Sequence, residues 1–524
     1  MPCELYCLVE KLMAVDCLLE SFCSTRTGLN THATRTAQLV QLYYSEGLLA
    51  GAELQMALPD TWRLLKEGRR PGEPTFPILY QVQAALGKSC LFLPPRDLSS
   101  NCLFTPLQDE RELLTALQDW SRVCVAMEVL GIDQDEEETF WLILAAITDL
   151  GVLAQQMEDT SCYDCDPAVA EKVCGILGVT TDSFYRLVSR ASSLSPASSR
   201  CSSTQPGDLE ASGEGPHVLE NIKRLVQNLY SDLLSRLVIL INRSIQPPAK
   251  HSVSILLLDT PGFQNPNMTG GKHSAGLVDL SYNYLQERLQ QFFFNSRVER
   301  LGEREKGLAK LFVHGKDSSA MLNLLERAGR AEVSVSGTKT LGRRRSRKEV
   351  RVQQSPPGLL TLLQRATSCP WSDDRTFLQR SLSHWAHSKS SHLKILEMIL
   401  QNMMSNISSS GPLIRKEGED RLMLTHLQGT SPVVYSVLGW RQLSHNMSRA
   451  NLAAELLRKS KKYTRNICFE EFLEELIIIS EDLRRSCEVL SPKTIGSTSL
   501  SLDELKARMS CLQVSLSSLS FSKL

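Results

Sequence analysis

The chain carries Val253-Ser-Ile-Leu-Leu-Leu258 directly before Asp259-Thr260-Pro261-Gly262-Phe263-Gln264. A short apolar run bounded by turn residues reads as a strand buried on both faces. An Asp at the end of such a strand can hold Mg²⁺, directly or through water, and the N–H of the Gly that follows can point at a γ-phosphate. That chemistry is phosphoryl transfer, and it needs further parts. A phosphate-cradling loop has the form Gly-x₄-Gly-Lys-Ser/Thr. The only Gly-Lys-Ser is Gly87-Lys88-Ser89, where Val82 stands in place of the first Gly and a helix precedes it rather than a strand. No Asn-Lys-x-Asp guanine-specificity motif occurs, so a GTPase-like switch has one of its three parts.

The elements around this stretch belong to a large globular chain. Its 524 residues allow more than one domain. Lys+Arg and Asp+Glu are each 58, which gives no global case for nucleic acid or an anionic membrane surface. No apolar run reaches the roughly 18 residues of a membrane span. Fifteen scattered Cys read as reduced thiols of a cytoplasmic protein. Cys162-Tyr-Asp-Cys165 lacks a second ligand pair for zinc and reads as an acidic surface loop.

In order, 10–22 reads as a helix that opens without a polar leader, as in a piece cut from a longer protein. Residues 24–35 read as a loop, 38–44 as a strand, 47–51 as a turn, and 53–58 as the partner strand or a short helix. Helices follow over 113–131 and after a capping box of Asp133 and Glu136, then a helix pair over 168–187. Residues 192–215 form a flexible Ser-rich insert, with seven Ser between 192 and 203. The most periodic helix runs from Val218 to Ile241 and stops at Pro247-Pro248. Residues 277–294 form a helix rich in bulky side chains, and 357–386 a helix–loop–helix. Short strands lie within 422–440 and a helical stretch within 452–490. Arg343-Arg-Arg-Ser-Arg-Lys348 is either an anion-binding or a solvated basic loop.

Five motifs in order resemble the myosin motor head. Asn30-Thr-His32-Ala33-Thr34-Arg35 resembles switch I and Asp259-Thr-Pro-Gly262-Phe263-Gln264 resembles switch II, about 220 residues apart. Asn283-Tyr284-Leu-Gln-Glu287-Arg-Leu-Gln-Gln-Phe-Phe293 resembles the start of the relay helix. Residues 358–382 resemble the actin-facing helix–loop–helix, and His426 to Trp440 the segment after it. Leu258-Asp-Thr-Pro-Gly-Phe-Gln-Asn-Pro266, the spacing from Gly429 to Tyr435 and the Ser-rich insert look like class XVIII unconventional myosins.

The resemblance implies an α/β fold: a partial motor head with a mixed, P-loop-NTPase-related central sheet flanked by helices, and a mostly helical lower subdomain that binds actin. The expected boundaries are 1–298 for the upper region, 299–356 for a divergent basic insert, 357–484 for the lower subdomain and 485–524 for a Ser-rich tail. It implies ATP or ADP with Mg²⁺, F-actin as partner, and a cytoplasmic, cytoskeletal location. Light chains or a dimer partner would use segments outside this sequence, and the phosphate loop would lie upstream of it. The implied nucleotide-binding residues are Asn30, His32, Thr34, Arg35, Asp259, Gly262 and Gln264, with Thr34 and Asp259 at the Mg²⁺. Trp371, Phe377 and Arg380 are the actin-facing candidates, core packing being the alternative for the two aromatics.

The departures matter as much. Ala33 replaces the first switch I Ser, His32 replaces an Asn, and Gln264 replaces the Glu that pairs with the switch I Arg. An Arg–amide bond lacks the charge assistance of an Arg–carboxylate pair. Positioning and electrostatics supply most of phosphoryl-transfer catalysis, so the expectation is an actin tether or scaffold with little ATP hydrolysis. An active motor is the alternative if an upstream phosphate loop exists.

Overall fold

The computed structural model describes residues 2–28, 30–65, 68–70, 73–86, 110–160, 166–189, 215–247, 253–269, 273–299, 318–327, 331–335, 350–354, 357–367, 373–386, 413–426 and 431–448. The Ser-rich insert, the basic run at 343–348, Gly87-Lys88-Ser89, Cys162–Cys165, Trp371 and the expected helix over 452–490 lie outside them.

Helix α1 (Pro2–Cys23) runs straight into a small hairpin of β1 (Ser24–Thr25) and β2 (Ala33–Thr34), with Ser24 opposite Thr34. The segment expected to be a loop is thus a hairpin, its strands too short to show a period of two in sequence. Strand β3 (Ala37–Ser45) turns at Glu46 and Gly47 into β4 (Leu48–Ala57). Both turn residues have positive φ, 52° and 82°, as a two-residue hairpin turn demands. The turn is therefore shorter than the expected 47–51. Gly51 sits inside β4, where an added Cβ would lie 2.3 Å from Pro247 Cα, so the glycine is required by close approach rather than by a turn.

β3 also pairs with β5 (Val253–Asp259), giving the order β4-β3-β5. All pairings in this sheet are antiparallel, so these strands do not form the expected mixed sheet. Nor is β5 buried on both faces. Val253 is 54% and Leu257 46% exposed, and β5 is an outer strand of the sheet among the described residues. A continuous apolar run alone cannot reveal that.

The core lies on the other side. Helices α2 (Pro77–Leu86), α3 (Glu110–Val129), α4 (Gln134–Thr160), α5 (Pro167–Leu177), α6 (Thr181–Val188) and α7 (Gly215–Ile245) pack with α1 and β4 around one apolar cluster. Tyr230 of α7 stacks on Phe76 at 5.1 Å and donates its hydroxyl to Phe22 O at 2.7 Å, which fixes α1 against α7. Helix α4 is long and apolar enough to cross a membrane by composition, but 78% of that window is buried against the surrounding helices. It is a core helix, and Asp149 within it pairs with Lys172 at 3.0 Å.

The capping box forms as the sequence indicates. Glu136 N–H donates to Asp133 Oδ1 at 2.8 Å, and Asp133 N–H to Glu136 Oε2 at 3.4 Å. Glu136 also accepts from Arg243 at 2.7 Å and Arg236 at 3.0 Å, tying the start of α4 to α7. The hydrogen bond from Arg243 holds the Glu136 carboxyl below its ordinary range. Glu136→Ala is expected to cost about 1 kcal/mol, the value of a cap with half-exposed ion pairs that water screens. Because the folded pKa is depressed, the wild-type advantage should vanish as pH falls through that pKa; thermal melts at two pH values check it.

Beyond β5, helix α8 (Leu277–Glu299) carries the bulky residues expected there. The segment read as an insert supplies α9 (Ser319–Glu326) and a separate antiparallel ribbon of β6 (Ala331–Val335) and β7 (Val350–Gln354). α9 is built onto α8: Tyr284 Oη donates to Glu326, and Arg288 pairs with it at 3.3 Å. Helices α10 (Leu359–Thr367) and α11 (Asp374–Ala386) are the two helices expected within 357–386. A three-stranded sheet of β8 (Ile414–Lys416), β9 (Arg421–Leu424) and β10 (Val433–Ser436) precedes α12 (Trp440–Ser448).

Candidate nucleotide site and its link to helix α8

Two turns that are far apart in sequence meet at the end of the β3–β5 ladder. β2 delivers Thr34, β5 ends on Asp259, and Gln38 opposite Asp259 sets the register. Thr34 Oγ1 donates to Asp259 Oδ2 at 2.6 Å. Mg²⁺ takes six oxygens at about 2.0–2.1 Å, so neighbouring ligands lie about 2.9 Å apart. The Thr34 and Asp259 oxygens, hydrogen-bonded to each other at 2.6 Å, are closer than such an edge and would part slightly to take up a shared cation. Among the described residues no group of three His, Cys, Asp or Glu is placed to hold a metal. The pair fits Mg²⁺ only as two ligands of a complex whose other oxygens come from phosphates and water.

Asn30 and His32 stay on the exposed hairpin tip. His32 N–H donates to Asn30 Oδ1 at 3.0 Å, and the His32 ring meets Thr31 Oγ1 at 3.0 Å. Gly262 is exposed, and an added Cβ would meet no protein atom within 4 Å. Packing among the described residues does not demand glycine there.

Arg35 is 4% exposed and points inward. Its Nη1 donates to Gln264 Oε1 at 3.4 Å, the contact expected from the sequence. The stronger partner is Asp60, whose Oδ2 lies 2.9 Å from Arg35 Nε and 2.8 Å from Nη2. The same oxygen accepts from Arg63 Nε at 3.2 Å, and Arg63 Nη1 pairs with Glu73 at 3.0 Å. The guanidinium of Arg35 also lies 5.0 Å from the Tyr282 ring centre. Burial raises the Asp60 carboxyl pKa, but the charges of Arg35 and Arg63 outweigh it and hold the pKa below the ordinary range. Asp60 is absent from the sequence reading. Its only sequence signal, Asp60-Thr-Trp-Arg63, reads as the cap of the short 3₁₀ turn Thr61–Leu64.

Gln264 uses its amide in two directions. Oε1 accepts from Arg35, and Nε2 donates to Gly262 O. A glutamate cannot make the second bond. The Gln264 backbone is clamped by Asn283 of α8, whose Oδ1 accepts from Gln264 N at 2.6 Å and whose Nδ2 donates to Gln264 O at 2.8 Å. Asn283 Nδ2 also donates to Tyr435 Oη at 2.6 Å, which lies 2.8 Å from His426 Nε2. His426 Nδ1 is 3.4 Å from Glu287 Oε1, and Glu287 accepts from Ser318 Oγ. Asn283, Glu287, Ser318, His426 and Tyr435 are all 4% exposed or less. A continuous polar chain thus runs from the Asp259–Gln264 turn through α8 to the β9–β10 sheet. Asn283, His426 and Tyr435 stand in the motifs quoted from the sequence, but nothing local assigns them this role.

Of the actin-facing candidates, Arg380 is exposed. Phe377 is corrected: it is 1% exposed and packs 6.1 Å from Trp440, because α11 turns this face towards α12. Asp374 fixes the same junction by accepting from Gly439 N at 2.8 Å and Arg441 N at 3.1 Å.

The ordered switch-like turns, and the helix that clamps the second of them, define a motor head. The chain belongs to the myosin head (motor domain) family, whose model matches residues 3–331. It is 29% identical over 472 residues to unconventional myosin-XVIIIa of Mus musculus, a match covering 87% of this chain and 21% of that protein. It is 27% identical over 297 residues to unconventional myosin-XVIIIb of Homo sapiens, covering 55% of this chain and 11% of the relative. Myosin-1 of Saccharomyces cerevisiae is 22% identical over 391 residues, covering 72% and 18%. The class XVIII resemblance thus agrees with two of the curated relatives, and the chain spans about a fifth or less of the length of these three.

Proposed function

We propose that the Thr34–Arg35 and Asp259–Gln264 turns form the phosphate-facing part of an ATP–Mg²⁺ pocket that hydrolyses slowly, in a module that tethers to actin filaments. The observation that carries this reading is the environment of Arg35. Its charge is neutralised from behind by Asp60 and met from the switch II side by a neutral amide. In the family's arrangement, an Arg–carboxylate pair closes around the attacking water. An amide closes that gate without charge assistance, and Ala33 offers no hydroxyl to place the water. Removing one such stabilising group typically costs about 10²–10³ in rate. Thr34 and Asp259 keep the oxygens that Mg²⁺–nucleotide binding needs. Asn30, His32 and Gly262 belong to the same pocket, with His32 on the phosphate side. Arg380 is the remaining described candidate for the actin surface.

Co-sedimentation with F-actin tests the tether. The chain is expected to pellet equally with and without ATP. No pelleting sinks the actin proposal, and ATP-driven release together with steady phosphate production favours an active motor.

A further inference from the structure

The hydrogens of the buried polar chain on α8 follow from its partners. Asn283 Oδ1 accepts from Gln264 N, so the other end of that amide, Nδ2, is the donor to Tyr435 Oη. Tyr435 receives that hydrogen and has one of its own to give. Its neighbour at 2.8 Å is His426 Nε2, which is then the bare nitrogen of a neutral ring. The ring proton is left on Nδ1, which faces Glu287 Oε1 at 3.4 Å. That contact is long, and Nδ1 makes no hydrogen bond among the described residues. Neither the His426 nor the Glu287 side chain is exposed, and a buried N–H without an acceptor is costly. The hydrogens thus run one way, from Asn283 to Tyr435 to His426, towards a carboxylate that also accepts from Ser318.

The surroundings of the ring favour a further positive charge. Glu287 and Asp279 of α8 are the charges that act on Tyr435, and Asp279 is paired with Arg70 at 3.3 Å. Arg288, next in α8, is turned to Glu326. The turn after β5 presents the Phe263 ring, 5.2 Å from the imidazole. Arg415 and Lys416 of β8 and Arg421 of β9 are exposed. Histidine is the side chain whose ordinary charge change falls within about pH 5–8. A neutral ring beside an ionised Glu287 leaves the pair with one negative charge. One more proton makes it an ion pair, whose N⁺–H···O⁻ contact shortens to about 2.7–2.9 Å.

We propose that His426 and Glu287 form a proton-operated latch between α8 and the β9–β10 sheet, open while the imidazole is neutral and closed by uptake of one proton. The proton comes from solvent and goes to Nε2. The imidazolium then donates from Nδ1 to Glu287 and from Nε2 to Tyr435 Oη, and the Tyr435 hydrogen turns away from the ring. The latch needs neither nucleotide nor actin, so its failure would leave the proposed function untouched.

The test is nuclear magnetic resonance of the full 524-residue chain with nitrogen-labelled histidine, which reports the proton on each ring nitrogen. Of the 10 His, His426→Gln identifies the signal by its loss, and Tyr435→Phe identifies it by a shift should that variant not fold. At about pH 8 the proton should sit on Nδ1, and by about pH 5.5 both nitrogens should carry one. Glu287→Gln keeps the size and an oxygen for Ser318 but removes the charge. It should lower the proton affinity of His426 about tenfold or more. Hydrogen exchange tests closure. The exchange rate of Glu287→Gln relative to wild type, over the first turns of α8 and β10, should rise about threefold or more from about pH 8 to about pH 6. The intrinsic effect of pH on exchange cancels in that ratio. A proton on Nε2 at the higher pH, a ring whose charge stays constant, unaltered proton affinity in Glu287→Gln, or a constant exchange ratio each overturns the latch.

Discussion

Asp60→Asn should destabilise the fold by about 3–5 kcal/mol, the range for breaking a buried ion pair from one side. The exchange keeps the volume and removes the charge. Arg35 and Arg63, each 4% exposed, would then face each other across an amide. Glu73 still neutralises Arg63 at 3.0 Å, but Arg35 keeps only the 3.4 Å bond to Gln264 and the face of Tyr282. Equilibrium urea unfolding at pH 7 checks the magnitude, and a loss under 1 kcal/mol would show that Asp60 is not the counter-charge. The pH dependence gives a second test. The folded pKa of Asp60 is depressed, so its contribution is complete above the ordinary aspartate range and lost as pH falls through the folded value. The gap between wild type and variant should therefore close in acid. Gln264→Glu tests the other side: a carboxylate there gains Arg35 but forfeits the bond to Gly262 O. Since Asp60 already binds Arg35, the exchange alone should recover only part of a closed gate.

How much of this was legible in the sequence depends on distance along the chain. The Asp133–Glu136 box and helices α3 to α8 follow from patterns within a few residues, and they formed as read. The ordered motifs placed Thr34 beside Asp259 and Arg35 beside Gln264 across more than 220 residues, through resemblance rather than any local rule. Other features had no local signal. The apolar run of β5 is the same whether a strand is central or outer. Phe377 on a polar helix could face either way until α12 was seen to pack on it. Asp60 looks like a turn residue, because its partners come from the residue after β2 and from its own turn at once.

The same limit hides the residue that couples the two halves of the site. Asn283→Ala should cost about 2–4 kcal/mol, because it strands several buried groups together. Gln264 N–H loses its acceptor, Gln264 C=O loses a donor, and Tyr435 Oη loses the Nδ2 donor while remaining beside His426. Asn283→Asp separates clamp from size. Its carboxylate can still accept from Gln264 N but cannot donate to Gln264 O or Tyr435, so it should recover only part of the loss. The position also has mechanical meaning. Asn283 and Glu287 lie one turn apart on α8 and face the same way, so a movement of the Asp259–Gln264 turn must carry α8 or break this clamp. Hydrogen exchange distinguishes coupling from simple packing. In the Asn283→Ala variant, faster exchange should spread from residues 262–265 into the first turns of α8 and into β10, leaving α4 and α7 unchanged. Faster exchange confined to the 262–265 turn would mean that Asn283 only pins a loop.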